Sequence, residues 1–199
     1  MKQWKFLIAA IAVVAAINVS FAGGIVEGVP KGWVAHGVNA ERYQIGLDPE
    51  QGNAEHPAYF IVAKDGAQDT DIAAISQSFS PAPYSKKKMR FSAWFKFMGN
   101  ARDQEIWIRG VNKGGRWSSS NTISNVAEWK KVFVDLQVVE QITELEIGVA
   151  VRGKSKVWFK DFSFEEVEET NLERTDPLHF PLPIVAPNEK LQNLSLKNQ

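Results

Sequence analysis

The clearest pattern in the chain is an alternation of apolar and polar residues between Met89 and Val111. Side chains on a β-strand point to opposite faces with a period of two residues. The alternation therefore predicts two strands joined by a turn, with one apolar face and one mixed face. The apolar face is expected in a core, and the mixed face is a candidate ligand surface, because tryptophans alternate there with charged residues. The apolar positions are Phe91, Ala93, Phe95, Phe97, Ile106 and Ile108, and the mixed positions are Arg90, Ser92, Trp94, Lys96, Glu105, Trp107 and Arg109.

Similar alternation recurs along the chain at spacings of roughly ten residues, with turn-forming residues between the runs. The run from Glu144 to Arg152 is the cleanest, because aliphatic residues occupy every second position and Glu144, Glu146 and Arg152 face the other way. No stretch of the mature domain shows the 3.6-residue period of an amphipathic helix. The pattern predicts an all-β fold, a two-sheet antiparallel β-sandwich in which each sheet buries one face.

The two ends of the chain differ in character from the middle. A short basic start precedes an uncharged, mostly apolar run that ends at Ser20-Phe21-Ala22, with small residues where a signal peptidase cleaves. Residues 1–22 are therefore predicted to be a signal peptide, and an uncleaved membrane anchor is the alternative. The remaining segments are a lead-in at 23–31, a β-sandwich domain at 32–169 and a Pro-rich tail at 170–199. Cleavage predicts a secreted or periplasmic protein with no stable membrane span.

Composition narrows the classes of function. The 199 residues include 23 basic and 23 acidic side chains, and the formal net charge is zero. Nucleic acid is therefore not expected as a partner, because phosphate contacts need a basic excess. The chain has no Cys, which excludes disulfides, thiolate nucleophiles and cysteinyl zinc sites. An exported fold of this kind depends on its hydrophobic core.

The order of the strand motifs is similar to that of a known class of module. The sequences SQSFSPAPYSKKKMRFSAWFKF, AEWKKVFVDL and LEIGVAVRGKSKVWFKDFSFEEV resemble the galactose-binding-like jelly roll, a β-sandwich of many carbohydrate-binding modules and of accessory domains in bacterial enzymes and regulators. The resemblance covers about Trp33 to Val167. It implies a sugar ligand on a sheet face or in edge loops. It also implies that a structural calcium could lie near the last strand, with Asp161 as a ligand.

The candidate ligand-binding residues are Trp94, Trp107 and Arg109 on the mixed face, Glu146 from the Glu144–Arg152 strand, and Trp117 in a Gly-containing loop. An aromatic ring stacks on the C–H bonds of a sugar ring, and flanking charged groups hydrogen-bond to its hydroxyls. The alternative interpretation is structural, with the Trp rings packed beneath the stems of Arg90, Lys96 and Arg109. For Trp117 the alternatives are a lid on the sandwich edge and a ligand contact.

Catalytic patterns are weak in this sequence. His36, His56 and His179 lie far apart and lack metal-type or nucleophile–base spacings, which favours structural or surface roles. Glu144 and Glu146 share a strand face with Cβ atoms roughly 6–7 Å apart. That separation falls between the two arrangements of glycosidases. The sequence has no nucleophile elbow, phosphate-binding Gly loop or His-Glu-x-x-His motif.

The sequence therefore predicts an exported, non-catalytic binding module for a carbohydrate or a cell-envelope polysaccharide. No cofactor is expected beyond the structural calcium that the resemblance allows. One alternative is a structural or protein-interaction subunit of an envelope assembly, which binds a partner through the mixed face or the C-terminal tail. The tail favours this alternative, because Phe180, Leu182 and Ile184 are too apolar for a purely solvated segment. A glycoside hydrolase is the other alternative.

Overall fold

The structure, a computed structural model, describes residues 26–99, 104–113, 115–123, 127–169 and 187–196 of the chain. These residues form eleven strands and two short 3-10 helices, Ala40–Arg42 and Ala82–Tyr84. The strands are β1 (Val26–Glu27), β2 (Val34–Val38), β3 (Tyr43–Asp48), β4 (Ala58–Ala63), β5 (Ile72–Phe79), β6 (Lys88–Gly99), β7 (Gln104–Asn112), β8 (Gly115–Ile123), β9 (Lys130–Gln137), β10 (Glu144–Arg152) and β11 (Ser155–Glu166). Within those ranges, no helix is long and apolar enough to cross a membrane.

The strands form two sheets that pack face to face. Sheet A has the order β1-β3-β4-β11-β6-β9, and sheet B has the order β2-β5-β10-β7-β8. Every pairing within the two sheets is antiparallel. The predicted all-β, two-sheet antiparallel sandwich is confirmed.

The inward faces of the two sheets form one hydrophobic core at the positions that alternation predicts. Phe91 and Phe95 of β6 and Ile106 and Ile108 of β7 have no exposed surface. Burying such a side chain contributes about 1.5–3 kcal/mol. A β-bulge between Lys160 and Ser163 of β11 shifts the strand register. Phe162, which lies in this bulge, also belongs to the core.

The two strands predicted at Met89–Val111 are present as β6 and β7, but they do not pair with each other and therefore do not share one mixed face. β6 lies in sheet A between β11 and β9, whereas β7 lies in sheet B between β10 and β8. Trp94 therefore points outward from sheet A, while Trp107 and Arg109 point outward from sheet B. The predicted single mixed face is split between opposite sides of the molecule. Alternation indicates which side of a strand is buried, but not which strand lies beside it.

The predicted loop around Trp117 is also a strand. β8 pairs with β7 along its whole length, and Trp117 is the cross-strand partner of Gly110. Residues 116–121 lack the apolar alternation that marks a strand, so the pattern does not predict β8. The Trp117 side chain lies outside the described residues, and its role stays a prediction.

Segments at both ends of the predicted domain contribute to the sandwich. β1 comes from the lead-in at 23–31 and pairs with β3. Residues 187–196 return to sheet B, where the Gln77 side chain donates to the Gln192 carbonyl at 2.9 Å and accepts from its N–H at 2.5 Å. Leu196 has no exposed surface and lies in the core. The packed unit thus extends past residue 169. The predicted signal peptide at 1–22 and the tail residues 170–186 lie outside the described residues.

Candidate functional site

The first candidate surface is the outward face of sheet B, where Trp107 and Arg109 of β7 lie beside β10. Glu146 is the cross-strand partner of Arg109, and Gly148 is that of Trp107. A side chain at position 148 is sterically excluded, because a Cβ atom there would overlap the Trp107 indole ring. The Arg109 guanidinium lies 4.8 Å from the Trp107 ring centroid, and its Nη1 lies 3.5 Å from Glu146 Oε2. Three of the predicted site residues are therefore neighbours.

These three groups are buried although they face away from the core. Trp107 is 0% exposed, Glu146 is 1% and Arg109 is 4%. Burial raises the pKa of the Glu146 carboxyl above its ordinary value, while Arg109, Ser76 and Trp107 act in the opposite direction. A buried ion pair adds little net stability, but removing one partner is costly because it leaves the other unpaired. The cluster therefore offers almost no accessible surface to a ligand.

His36 of β2 belongs to the same outward face, and sequence reasoning did not connect it with Trp107. Its Nε2 lies 2.9 Å from the Ser76 hydroxyl of β5, and its ring lies edge-on to Trp107 with the centroids 6.4 Å apart. The sequence carries no local signal for this contact, because the contact depends on pairing between strands that are far apart in the chain. His36 sits in a strand of only five residues, and its partner Ser76 is 40 positions further along the chain.

The structural interpretation named three long side chains that would cover the tryptophans. Arg109 does lie on Trp107. Arg90 lies 4.0 Å from the Phe133 ring centroid, and Lys96 Nζ lies 5.8 Å from that of Trp158. Neither of these two cations covers the Trp94 ring. The two tryptophans of the predicted site therefore lie in different environments.

The second candidate surface is the outward face of sheet A, centred on Trp94. Of the tryptophans whose side chains the structure describes, Trp94 alone is exposed, at 38%. Its cross-strand partners are Lys131 of β9 on one side and Lys160 of β11 on the other. Neither lysine forms a salt bridge with a described residue. An accessible tryptophan thus lies between two lysines on the neighbouring strands, and neither lysine has a described acidic partner.

Neighbouring side chains extend this aromatic and basic surface. Lys160 Nζ lies 4.4 Å from the ring centroid of the partly exposed Trp129, and Lys96 Nζ donates to Gln51 Oε1 at 3.1 Å. The adjacent Trp158 is buried, and its indole N–H donates to Asp48 at 2.7 Å. We call this outward patch the Trp94 surface, and it consists of Trp94, Trp129, Lys96, Lys131 and Lys160.

Asp161, the residue implied for a structural calcium, lies in the bulge of β11 with a φ of 52°. Its Oδ1 lies 2.7 Å from Nδ1 of His56. Calcium takes about six to eight oxygen ligands. Within the described ranges there is no group of three or more His, Cys, Asp or Glu residues that could hold a metal ion. The Asp161 carboxylate is therefore in close polar contact with His56, and its role as a calcium ligand stays a prediction.

Comparison with known sequences gives one partial match. No protein-family model matches the chain. The uncharacterized HTH-type transcriptional regulator YbfP of Bacillus subtilis (strain 168) is 26% identical over 152 residues. The match covers 72% of this chain and 52% of the regulator, so the chain spans about half the length of that relative.

Comparison with solved structures shows the fold. A structure of carbohydrate-binding modules from the β-sandwich superfamily has a TM-score of 0.51 at 12% identity, covering 68% of this chain and 57% of that one. The enzymatically active domain of tailspike protein 4 from bacteriophage CBA120 has a TM-score of 0.51 at 10% identity, covering 69% of this chain and 20% of that one. Structural similarity at such low sequence identity establishes the fold but not the function. The resemblance expected from the sequence is confirmed at that level, and the chain has the jelly-roll β-sandwich fold of carbohydrate-binding modules.

Proposed function

We propose that this protein is a non-catalytic carbohydrate-binding module that holds its ligand on the Trp94 surface. The observation that carries the proposal is the 38% exposure of Trp94 between Lys131 and Lys160. An indole fixed on a strand presents a flat apolar face to the C–H side of a sugar ring. Ammonium groups beside it donate hydrogen bonds to hydroxyls. The fold shared with carbohydrate-binding modules supports the same function.

The buried cluster on sheet B has a different role in this proposal. Trp107, Arg109 and Glu146 are at most 4% exposed, so a ligand on the protein surface does not reach them. They link β7 to β10 across the outward face of sheet B through the ring, the guanidinium and the carboxylate. Their contribution is to hold the sheet together.

The same burial favours binding without catalysis. Glycoside hydrolysis requires two carboxyl groups on either side of the scissile bond. Of the predicted pair, Glu146 is 1% exposed and lies against Arg109, whereas Glu144 is partly exposed. A sugar can approach only one of these two carboxylates.

Export of the module is the remaining part of the proposal. It is supported by the apolar run that ends at Ser20-Phe21-Ala22. Cleavage there would release the module where cell-envelope polysaccharides occur. Amino-terminal sequencing of the protein recovered from its host should begin at Gly23, and a sequence that begins at Met1 would contradict cleavage.

Affinity electrophoresis through gels that contain soluble polysaccharides tests the binding surface. Replacing Trp94 with Ala should weaken retardation by at least about tenfold in apparent affinity, because an exposed aromatic anchor dominates such interfaces. Val38→Ala is the matched control, since Val38 is 37% exposed and faces outward from sheet B. Its retardation should equal that of the wild type. Equal retardation of Trp94→Ala and the wild type would overturn the proposed surface.

A further inference from the structure

We propose that the Trp94 surface selects acidic polysaccharides, whose sugar rings carry carboxylates. This inference rests on the proposed function and specifies the chemical class of its ligand. The uronate ring would stack on Trp94, and its carboxylate would pair with Lys131 or Lys160. Both contacts come from side chains on neighbouring strands of one sheet, so their relative positions are set by the sheet.

The Trp94 surface carries three lysines that have no described acidic partner. Lys96, Lys131 and Lys160 form no salt bridge with any residue in the described ranges. The recorded polar contact of Lys96 is to the neutral amide of Gln51. No described carboxylate therefore compensates the charge of these three lysines near the accessible indole.

Two carboxylates near the Trp94 surface are already engaged by other side chains. Asp135 accepts two hydrogen bonds from Arg90, at 2.8 Å and 2.9 Å. Asp161 pairs with His56 at 2.7 Å. An anionic ligand beside Trp94 would thus meet lysines that have no described acidic partner, while Asp135 and Asp161 are held by Arg90 and His56. This is the charge complementarity expected of a specific surface.

The spacing of Lys131 and Lys160 on either side of Trp94 also suits a polymer with repeated carboxylates. Lys131 and Lys160 lie on the two strands that flank β6, so their Cα atoms are two strand spacings apart, about 10 Å. Trp94 lies midway between them. One sugar ring on the indole can therefore direct a carboxylate to either side. A linear polymer that crosses the three strands can pair successive carboxylates with both lysines.

Nucleic acid offers the main competing chemistry, because bases also stack on aromatic rings beside cations. Strong phosphate binding uses about six to ten basic contacts, whereas the Trp94 surface supplies three lysines. The whole chain has no basic excess, with 23 basic and 23 acidic residues. The observations therefore favour carboxylates spaced along a sugar polymer over a continuous run of phosphates.

The experiment compares polygalacturonic acid with its methyl ester in affinity gels, together with neutral polysaccharides and single-stranded DNA. The acid should retard the full-length protein, and the ester and neutral polymers should retard it far less. Raising the salt from about 0.05 to about 0.5 M should weaken retardation by the acid, because surface charge pairs are screened. Single replacements, Lys131→Gln and Lys160→Gln, should each weaken it about two- to fivefold. Lys113→Gln, at an exposed position next to sheet B, is the control and should have no effect.

The possible failures are distinguishable. Equal retardation by the ester and the acid, still lost in Trp94→Ala, would overturn the acidic preference and leave the proposed function intact. Retardation by no polysaccharide, or retardation that Trp94→Ala leaves unchanged, would overturn both proposals. Stronger retardation by single-stranded DNA than by polygalacturonic acid would overturn the inference in favour of a phosphate polymer.

Discussion

At the scale of single residues, the two tryptophans of the predicted site differ in what surrounds their rings. Trp94 is 38% exposed, whereas Trp107 is 0% exposed and lies over Gly148. Alternation predicted correctly that both point away from the core. The exposure of each ring did not follow from the pattern, because it depends on contacts with residues that are distant in sequence, such as Gly148 and His36 around Trp107.

The buried Glu146 carboxyl provides a pH-dependent prediction at this scale. Its pKa is raised above the ordinary value of 4.5 by burial. As the pH rises above 4.5, the unfolded chain therefore releases this proton first, and the native state loses stability relative to the unfolded state. The Glu146→Gln variant lacks this loss, so its free energy of unfolding should rise relative to the wild type as the pH increases.

Urea unfolding of the wild type and of Glu146→Gln between about pH 4 and pH 8 measures this difference. Glu144→Gln is the control, because it removes a partly exposed carboxylate from the same face of β10. The unfolding free energy of Glu146→Gln minus that of the wild type should rise with pH. A difference that stays constant or falls with increasing pH would contradict a raised pKa of Glu146.

At the scale of elements, the segment 187–196 is part of the sandwich rather than a solvated tail. Leu196 is fully buried in the core, and Gln192 is held by Gln77. Leu196→Ala should lower the free energy of unfolding by about 2–5 kcal/mol, as for other truncations of buried leucine. Val139→Ala, at a position that is 36% exposed, should change it by about 0.5 kcal/mol or less. Equal unfolding free energies for the two variants would contradict the docking of this segment.

The strands also differ in how much of their arrangement can be predicted from the sequence. Alternation is a local property, so the buried faces of β6, β7 and β10 could be read directly. Strand partners are not local: β6 pairs with β9 and β11, and β7 pairs with β8 and β10. A strand without apolar alternation, such as β8, is recognised only through its pairing with β7. The assumption that consecutive strands pair is often right, but here it joined two faces that lie on opposite sheets.

At the scale of the whole molecule, a net charge of zero conceals an uneven distribution of charge. Near β6, the basic side chains of Arg90 and Lys87 are paired with Asp135 and Glu166. The lysines of the Trp94 surface have no such partner among the described residues. The composition excluded a protein dominated by phosphate contacts. The concentration of unpaired lysines on one sheet face could be recognised only from the order of the strands in the sheet.

We propose that the ligand binds to sheet A through Trp94 and not to sheet B through Trp107. The most direct measurement follows the indole N–H signals of the protein by NMR during titration with the polysaccharide that retards it most strongly. Spectra of the Trp94→Phe and Trp107→Phe variants assign the two signals. The Trp94 signal should shift progressively and saturate, while the Trp107 signal should stay in place. A shift of the Trp107 signal with an unchanged Trp94 signal would contradict this proposal.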